Sequence, residues 1–331
     1  MTQQTNPLLD ILVKLESIQR EIGVVQESLM RILSGEAPAE GEHKAQAALA
    51  ENLGIVEVEG EEPREEEAPF EECVDPEQWL SKRGITVKAR REESGLDEAF
   101  DRLCTFLGER FESLAPFYRA ITRSLSSGGQ RAVDLTEAAP QVISDTVQFA
   151  YMLRDFGFLA KAEYVRRDRR LFFIPQRSGQ VTNFFTGGWL ERYVLHSARE
   201  RARVHFGGKA EPLVLLGPQV TLPDNRDFEF DILVGIPEAI LWFECKTGDW
   251  GEHVTKYGDV YKKYMKGDSC VATLVLLETL TPEQKRSASV LAGGMHVINL
   301  PELEGHLNTI LVERSIPGVP EPAGGPPSSG Q

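Results

Sequence analysis

Asp231-Ile-Leu-Val-Gly-Ile-Pro-Glu-Ala-Ile-Leu-Trp-Phe-Glu244-Cys245-Lys246 reads as two apolar strands joined by a tight turn, with an acid on the first and Glu-x-Lys on the second. A strand repeats every two residues, so over residues 228–234 Phe228, Phe230 and Ile232 are expected on one face. Glu229, Asp231 and Leu233 then fall on the other. Gly235-Ile-Pro237 is the expected turn, because Gly and Pro interrupt the apolar run where the chain must reverse. On the returning strand Trp242, Glu244 and Lys246 share a face, so a hairpin brings Asp231, Glu244 and Lys246 together. Two adjacent carboxylates repel and call for a cation, and hard oxygen ligands select Mg²⁺ or Mn²⁺. A lysine beside that cation can orient or deprotonate a water and offset charge building on a phosphate. The pattern suits metal-assisted phosphodiester hydrolysis. Its plain structural counterpart is an amphipathic hairpin with a solvated polar face, against which Trp242 on the acidic side points to a covered face.

Three motifs follow one another between about residues 180 and 312: Thr186-Gly-Gly-Trp-Leu-Glu191-Arg-Tyr-Val, Glu229-Phe-Asp231 and Glu244-Cys-Lys246-Thr-Gly. Together they resemble the PD-(D/E)xK restriction-endonuclease-like superfamily, and within it the CRISPR-associated nucleases activated by cyclic oligoadenylate. The resemblance implies a mixed-sheet α/β nuclease domain over residues 179–315. It implies Asp231, Glu244 and the Cys245 carbonyl as ligands to Mg²⁺ or Mn²⁺, Lys246 as the catalytic lysine, and Glu191 on a preceding helix aimed at the same ion. Glu229, on the Asp231 face, is a candidate for a second ion or for supporting the first. The resemblance also implies 5′-phosphate and 3′-hydroxyl products and a role in defence against foreign nucleic acid. Those nucleases carry an N-terminal Rossmann-like sensor domain. This chain shows no alternating strand and helix pattern there and no Gly-rich strand-to-helix turn, so gating by a cyclic nucleotide is not expected.

Upstream, Leu8, Ile11, Leu15, Ile18, Ile22, Val25, Leu29 and Ile32 keep a three-four spacing, the seam of a coiled coil over residues 1–34 that predicts homo-oligomerisation. Residues 35–78 are acidic and poor in large apolar side chains, as in a disordered linker. Residues 1–78 hold 19 acids and 5 bases, whereas the remaining chain holds 32 and 31, so −14 of the net charge of −15 belongs to the tether, which leaves a nucleic-acid substrate open. Residues 79–178 read as helices followed by two strands around the basic tip Arg166-Arg167-Asp-Arg169-Arg170, a helical, winged-helix-like domain. Its four arginines are candidates for phosphate contact, with a purely structural wing as the alternative. Residues 316–331, rich in Pro, Gly and Ser, read as a disordered tail.

Cys73, Cys104, Cys245 and Cys270 have no paired spacing, which excludes a zinc ribbon and argues against a disulfide framework. No run of about 18 apolar residues and no signal peptide is present, so a cytoplasmic protein without membrane contact is expected. Neither a Ser-His-Asp elbow nor a P-loop appears. The competing class is a non-catalytic nucleic-acid-binding or adaptor protein that uses the nuclease fold as a platform. A separate sensor or activator protein is a candidate partner, with an ungated enzyme as the alternative.

Overall fold

The computed structural model describes residues 72–91, 97–125, 129–267 and 269–315. The coiled coil of residues 1–34, most of the acidic linker and the tail lie outside them. The body is a seven-stranded mixed sheet flanked by helices. At its centre β7 (Ile232–Ile236) pairs antiparallel with β8 (Ala239–Lys246), as the hairpin reading requires. β8 is followed by two parallel neighbours, β9 (Cys270–Leu276) and β10 (His296–Asn299). On the other side β7 meets β5 (Leu213–Thr221), which also pairs with the short β6 (Asp227–Glu229) and with the edge strand β1 (Thr86–Arg91). The apolar runs of β7, β8 and β9 are buried along nearly their whole length, as expected of central strands covered on both faces.

Two cores form those faces. One joins Trp242, Leu233, Phe228 and Phe230 to α1 (Pro76–Ser81), α7 (Gly251–Val260) and α8 (Pro282–Leu291). The other joins Ile232, Val234, Leu241 and Phe243 to α6 (Trp189–His205) and α9 (Leu303–Ser315). α8 begins where its sequence says: Thr281 and Gln284 form a capping box ahead of Pro282. The result is a three-layer α/β/α arrangement with β8 central.

Before the sheet, α2 (Asp97–Glu109), α3 (Phe111–Ser124) and α4 (Pro140–Asp155) surround a three-stranded antiparallel sheet. Its strands are β2 (Arg131–Asp134), β3 (Leu159–Val165) and β4 (Arg170–Pro175), in the order β2-β4-β3. This part has no core of its own, because Phe117, Phe149 and Phe173 belong to the same apolar cluster as α6 and the large sheet. Residues 76–91, most of them within the span expected for the helical domain, supply α1 and the sheet edge β1 instead. α5 (Gly179–Asn183) and a five-residue π-helical turn, Phe184–Gly188, lead into α6.

Two details of the hairpin differ from the sequence reading. The reversal falls at Pro237–Glu238, with Glu238 left-handed (φ 64°), and Gly235 sits inside β7. Gly235 is needed for close approach: a Cβ there would stand 1.8 Å from the Val74 carbonyl oxygen, beside the bond from Val74 N–H to the Ile236 carbonyl (3.1 Å). The alternation also breaks between β6 and β7. Phe228, Phe230 and Leu233 share one core while Ile232 enters the other. Here β5 passes through Gly217 (φ 53°) and Pro218, where the Gly217 N–H donates to the Asp231 carbonyl (2.9 Å) and the Pro218 carbonyl accepts from the Phe230 N–H (3.2 Å).

Candidate active site

At the end of β8 the strand pairing sets Asp231 opposite Glu244 and places Lys246 two residues further along the same face. Asp231 Oδ2 accepts from the Cys245 N–H (2.8 Å) and from Lys246 Nζ (3.1 Å). Glu244 is fully buried, and its Oε1 accepts from Trp242 Nε1 (2.9 Å) and the Asp231 N–H (3.2 Å). Glu244 Oε2 has no hydrogen-bond partner and faces Lys246 Nζ at 3.8 Å. A buried carboxylate oxygen with unused lone pairs beside a second carboxylate is the feature of this site that most invites a cation. Trp242 therefore covers the acidic face and fixes the Glu244 carboxylate plane.

The electrostatics follow from this crowding. Burial pushes the Glu244 carboxyl well above its usual range, and the Asp231 charge pushes it further. Burial works against the Lys246 ammonium, but Asp231 and Glu244 outweigh it, and the net effect is a raised pKa. The two acids thus favour the charged form of Lys246, which can donate to a water or a phosphate oxygen. Tyr257 on α7 seats it, with the ammonium 5.3 Å from the ring centroid and a hydrogen bond to the hydroxyl.

Glu191, in the first turn of α6, is close enough for the Asp231 charge, after burial, to raise its pKa. Its Oε2 forms an ion pair with Arg91 Nη1 at 2.8 Å but, like Glu244 Oε2, is buried without a hydrogen-bond donor. Glu229 lies at the rim, half exposed, 3.9 Å from Arg91 Nη2. Cys245 sends its thiol into the opposite core, and burial holds that thiol protonated. All four cysteines are buried thiols outside any disulfide. The basic tip is elsewhere: Arg169 donates to the Thr136 carbonyl (2.8 Å), Arg170 approaches Asp134 (3.9 Å), and Arg166 and Arg167 are exposed. None of the four lines the cleft of about 580 Å³ at the exit of β8, where Thr247 and Gly248 face Phe111, Arg119 and Thr122. Thr247 Oγ1 donates to the Thr186 carbonyl (2.8 Å) and Tyr118 Oη to the Phe185 carbonyl (2.7 Å), which ties β8, the π-helical turn and α3 into one wall.

Arg91 and the bracing role of Trp242 escape a reading by motif. Arg91 is 140 residues upstream of Asp231, and only the pairing of β1 with β5 brings it there. Asp231, Glu244 and a backbone carbonyl are hard oxygen donors that fit Mg²⁺ or Mn²⁺. Among the described residues no three His, Cys, Asp or Glu side chains stand grouped to hold a metal, and the third carboxylate, Glu191, is engaged by Arg91. The same residues include no helix long and apolar enough to cross a membrane.

No protein-family model matches the chain, and no curated protein matches it. Similar solved structures include protein VC1899 from Vibrio cholerae, with a TM-score of 0.47 and 18% identity, covering 74% of this chain and 62% of that one. They also include Can2 from Sulfobacillus thermosulfidooxidans in complex with cyclic tetra-adenylate, at 0.45 and 15%, covering 71% and 60%. The chain thus matches about three fifths of the length of each. Likenesses this distant leave the chemistry to be argued from the site.

Proposed function

We propose that the protein is a Mg²⁺- or Mn²⁺-dependent nuclease that hydrolyses phosphodiester bonds of DNA or RNA, acting in defence against foreign nucleic acid. The observation that carries this reading is the buried convergence of Asp231, Glu244 and Lys246, with Glu244 Oε2 left unpartnered. Asp231, Glu244 and the Cys245 carbonyl would hold the ion, with Glu191 and Glu229 as further acidic groups on its border. When bound, the ion would polarise the phosphate and lower the pKa of a coordinated water. Lys246, held protonated by the two acids, orients the attacking water and offsets charge on the phosphate. Tyr257 keeps the ammonium in place. Trp242 and the Asp231 N–H hold Glu244 in one rotamer, which presents its second oxygen.

In this proposal α2–α4 and the sheet β2-β4-β3 form the winged-helix-like part. The exposed Arg166 and Arg167, with Arg169 and Arg170, attract nucleic acid to it. The N-terminal heptads join copies of the chain, and a separate sensor or activator protein supplies the trigger.

Thermal melting with Mn²⁺ tests the reading. Mn²⁺ is expected to raise the midpoint of the wild type, and Asp231→Asn to abolish the rise. Equal shifts in both proteins would remove the metal site and leave the fold as a binding platform.

A further inference from the structure

Arg91 is seated in a slot built for it. It ends β1, which shifts register twice against β5 before Arg91 pairs with Leu216. Its guanidinium crosses Gly217, where an added Cβ would lie 2.1 Å from Nε and 2.7 Å from Cζ. Gly217 is left-handed (φ 53°), so it is favoured there twice over, by backbone and by space. Beyond the slot the guanidinium reaches Glu191 at 2.8 Å and Glu229 at 3.9 Å, while Lys246 occupies Asp231 at 3.1 Å. Each of the two cations of the site therefore sits on a carboxylate that the metal reading assigns as a ligand. Lys246 is part of the same Glu-x-Lys strand, but Arg91 comes from the sheet edge.

We propose that Arg91 and a divalent cation compete for Glu191, so that Arg91 sets the metal affinity of the acidic site. The inference rests on the metal-centre reading above. With Arg91 in its slot, the ion has Asp231, Glu244 and the backbone to bind. With Arg91 displaced, Glu191 becomes a third carboxylate and the site gains one unit of negative charge. Two hard anionic ligands hold a divalent ion weakly and three hold it firmly, since ligand charge count tunes such affinities. Arg91 is 43% exposed in its side chain, so it can leave the slot without unpacking either core.

The test is Mn²⁺ titration by calorimetry on the full chain, comparing wild type with Arg91→Ala, Arg91→Lys, Glu191→Gln and the Arg91→Ala/Glu191→Gln double variant. Asp231→Asn serves as the control. Arg91→Ala is expected to bind Mn²⁺ about tenfold more tightly, and Arg91→Lys to stay near wild type. In the Glu191→Gln background the Arg91→Ala gain is expected to disappear, because the ligand under competition is gone. An unchanged or weaker affinity in Arg91→Ala would overturn the proposal. So would an equal gain with and without Glu191, which would make Arg91 a distant charge. Mn²⁺ binding that survives Asp231→Asn, or none in wild type, would overturn the metal-centre reading itself.

Discussion

Replacing Glu244 by Gln is expected to stabilise the metal-free protein while removing a ligand of the proposed metal site. Gln keeps the acceptor at Oε1, so Trp242 Nε1 and the Asp231 N–H retain their partner. Lys246 keeps Asp231 at 3.1 Å, so no cation is stranded. What disappears is a fully buried charge beside a second carboxylate, a change often neutral or stabilising by about 1–4 kcal/mol, less the cost of amide Nε2 donors that meet Lys246 rather than an acceptor. For a body of this size each 1 kcal/mol corresponds to a rise of roughly 2–4 °C in Tm. Glu244→Ala has the opposite sign, because it strands two donors at about 1–3 kcal/mol each. The pH dependence supplies a second check. The folded-state pKa of Glu244 is raised, so wild-type stability is full below the ordinary carboxylate pKa and declines as pH rises toward the folded value. The advantage of Gln should therefore be absent near pH 4 and grow from about pH 4.5 upward. The assay is thermal denaturation in chelator from pH 4 to pH 8. A Gln variant that melts below wild type, or a difference that ignores pH, would refute this account of the buried carboxylate.

Lys246→Met is expected to lower cleavage by about 10²–10³-fold, the loss typical of a transition-state donor, and to leave Mn²⁺ binding intact. Kinetics alongside Mn²⁺ melting would show it, and lost ion binding would make Lys246 a structural group instead. Gly235→Ala is expected to cost about 2–4 kcal/mol, since its Cβ has no room beside Val74. Urea midpoints check this, and a neutral result would contradict the close approach. Burial first, and His296 second, depress His306 to about 4, with Thr273 Oγ1 2.9 Å from its Nε2. A lowered folded pKa gives stability that is present above about 6.5 and lost as pH falls toward 4, up to about 3 kcal/mol. His306→Gln should flatten that acid limb in denaturation curves, and an unchanged slope would assign it to other groups.

The β7–β8 hairpin was legible because β8 obeys a period of two without interruption, so Trp242, Glu244 and Lys246 had to share a face. The phase of Phe228 and Phe230 was harder. Counting through Phe230 assumed one continuous strand, and the break that β5 imposes at Gly217–Pro218 is a tertiary effect invisible in the local pattern. The turn was misplaced for a similar reason, because Gly235 looked like a reversal and is a contact point for Val74. Arg91 could not be read at all, since nothing near Glu191 or Asp231 in the sequence says that an edge strand will deliver a guanidinium to them.

The central claim is metal-dependent phosphodiester hydrolysis at Asp231, Glu244 and Lys246. Its most direct test is a cleavage assay with the full chain on single- and double-stranded DNA and RNA, in Mg²⁺ or Mn²⁺ and in chelator, with Lys246→Ala in parallel. The account predicts cutting by the wild type alone, only with the divalent ion, and it will name the substrate. Equal cutting by both proteins, or cutting that persists in chelator, would contradict it.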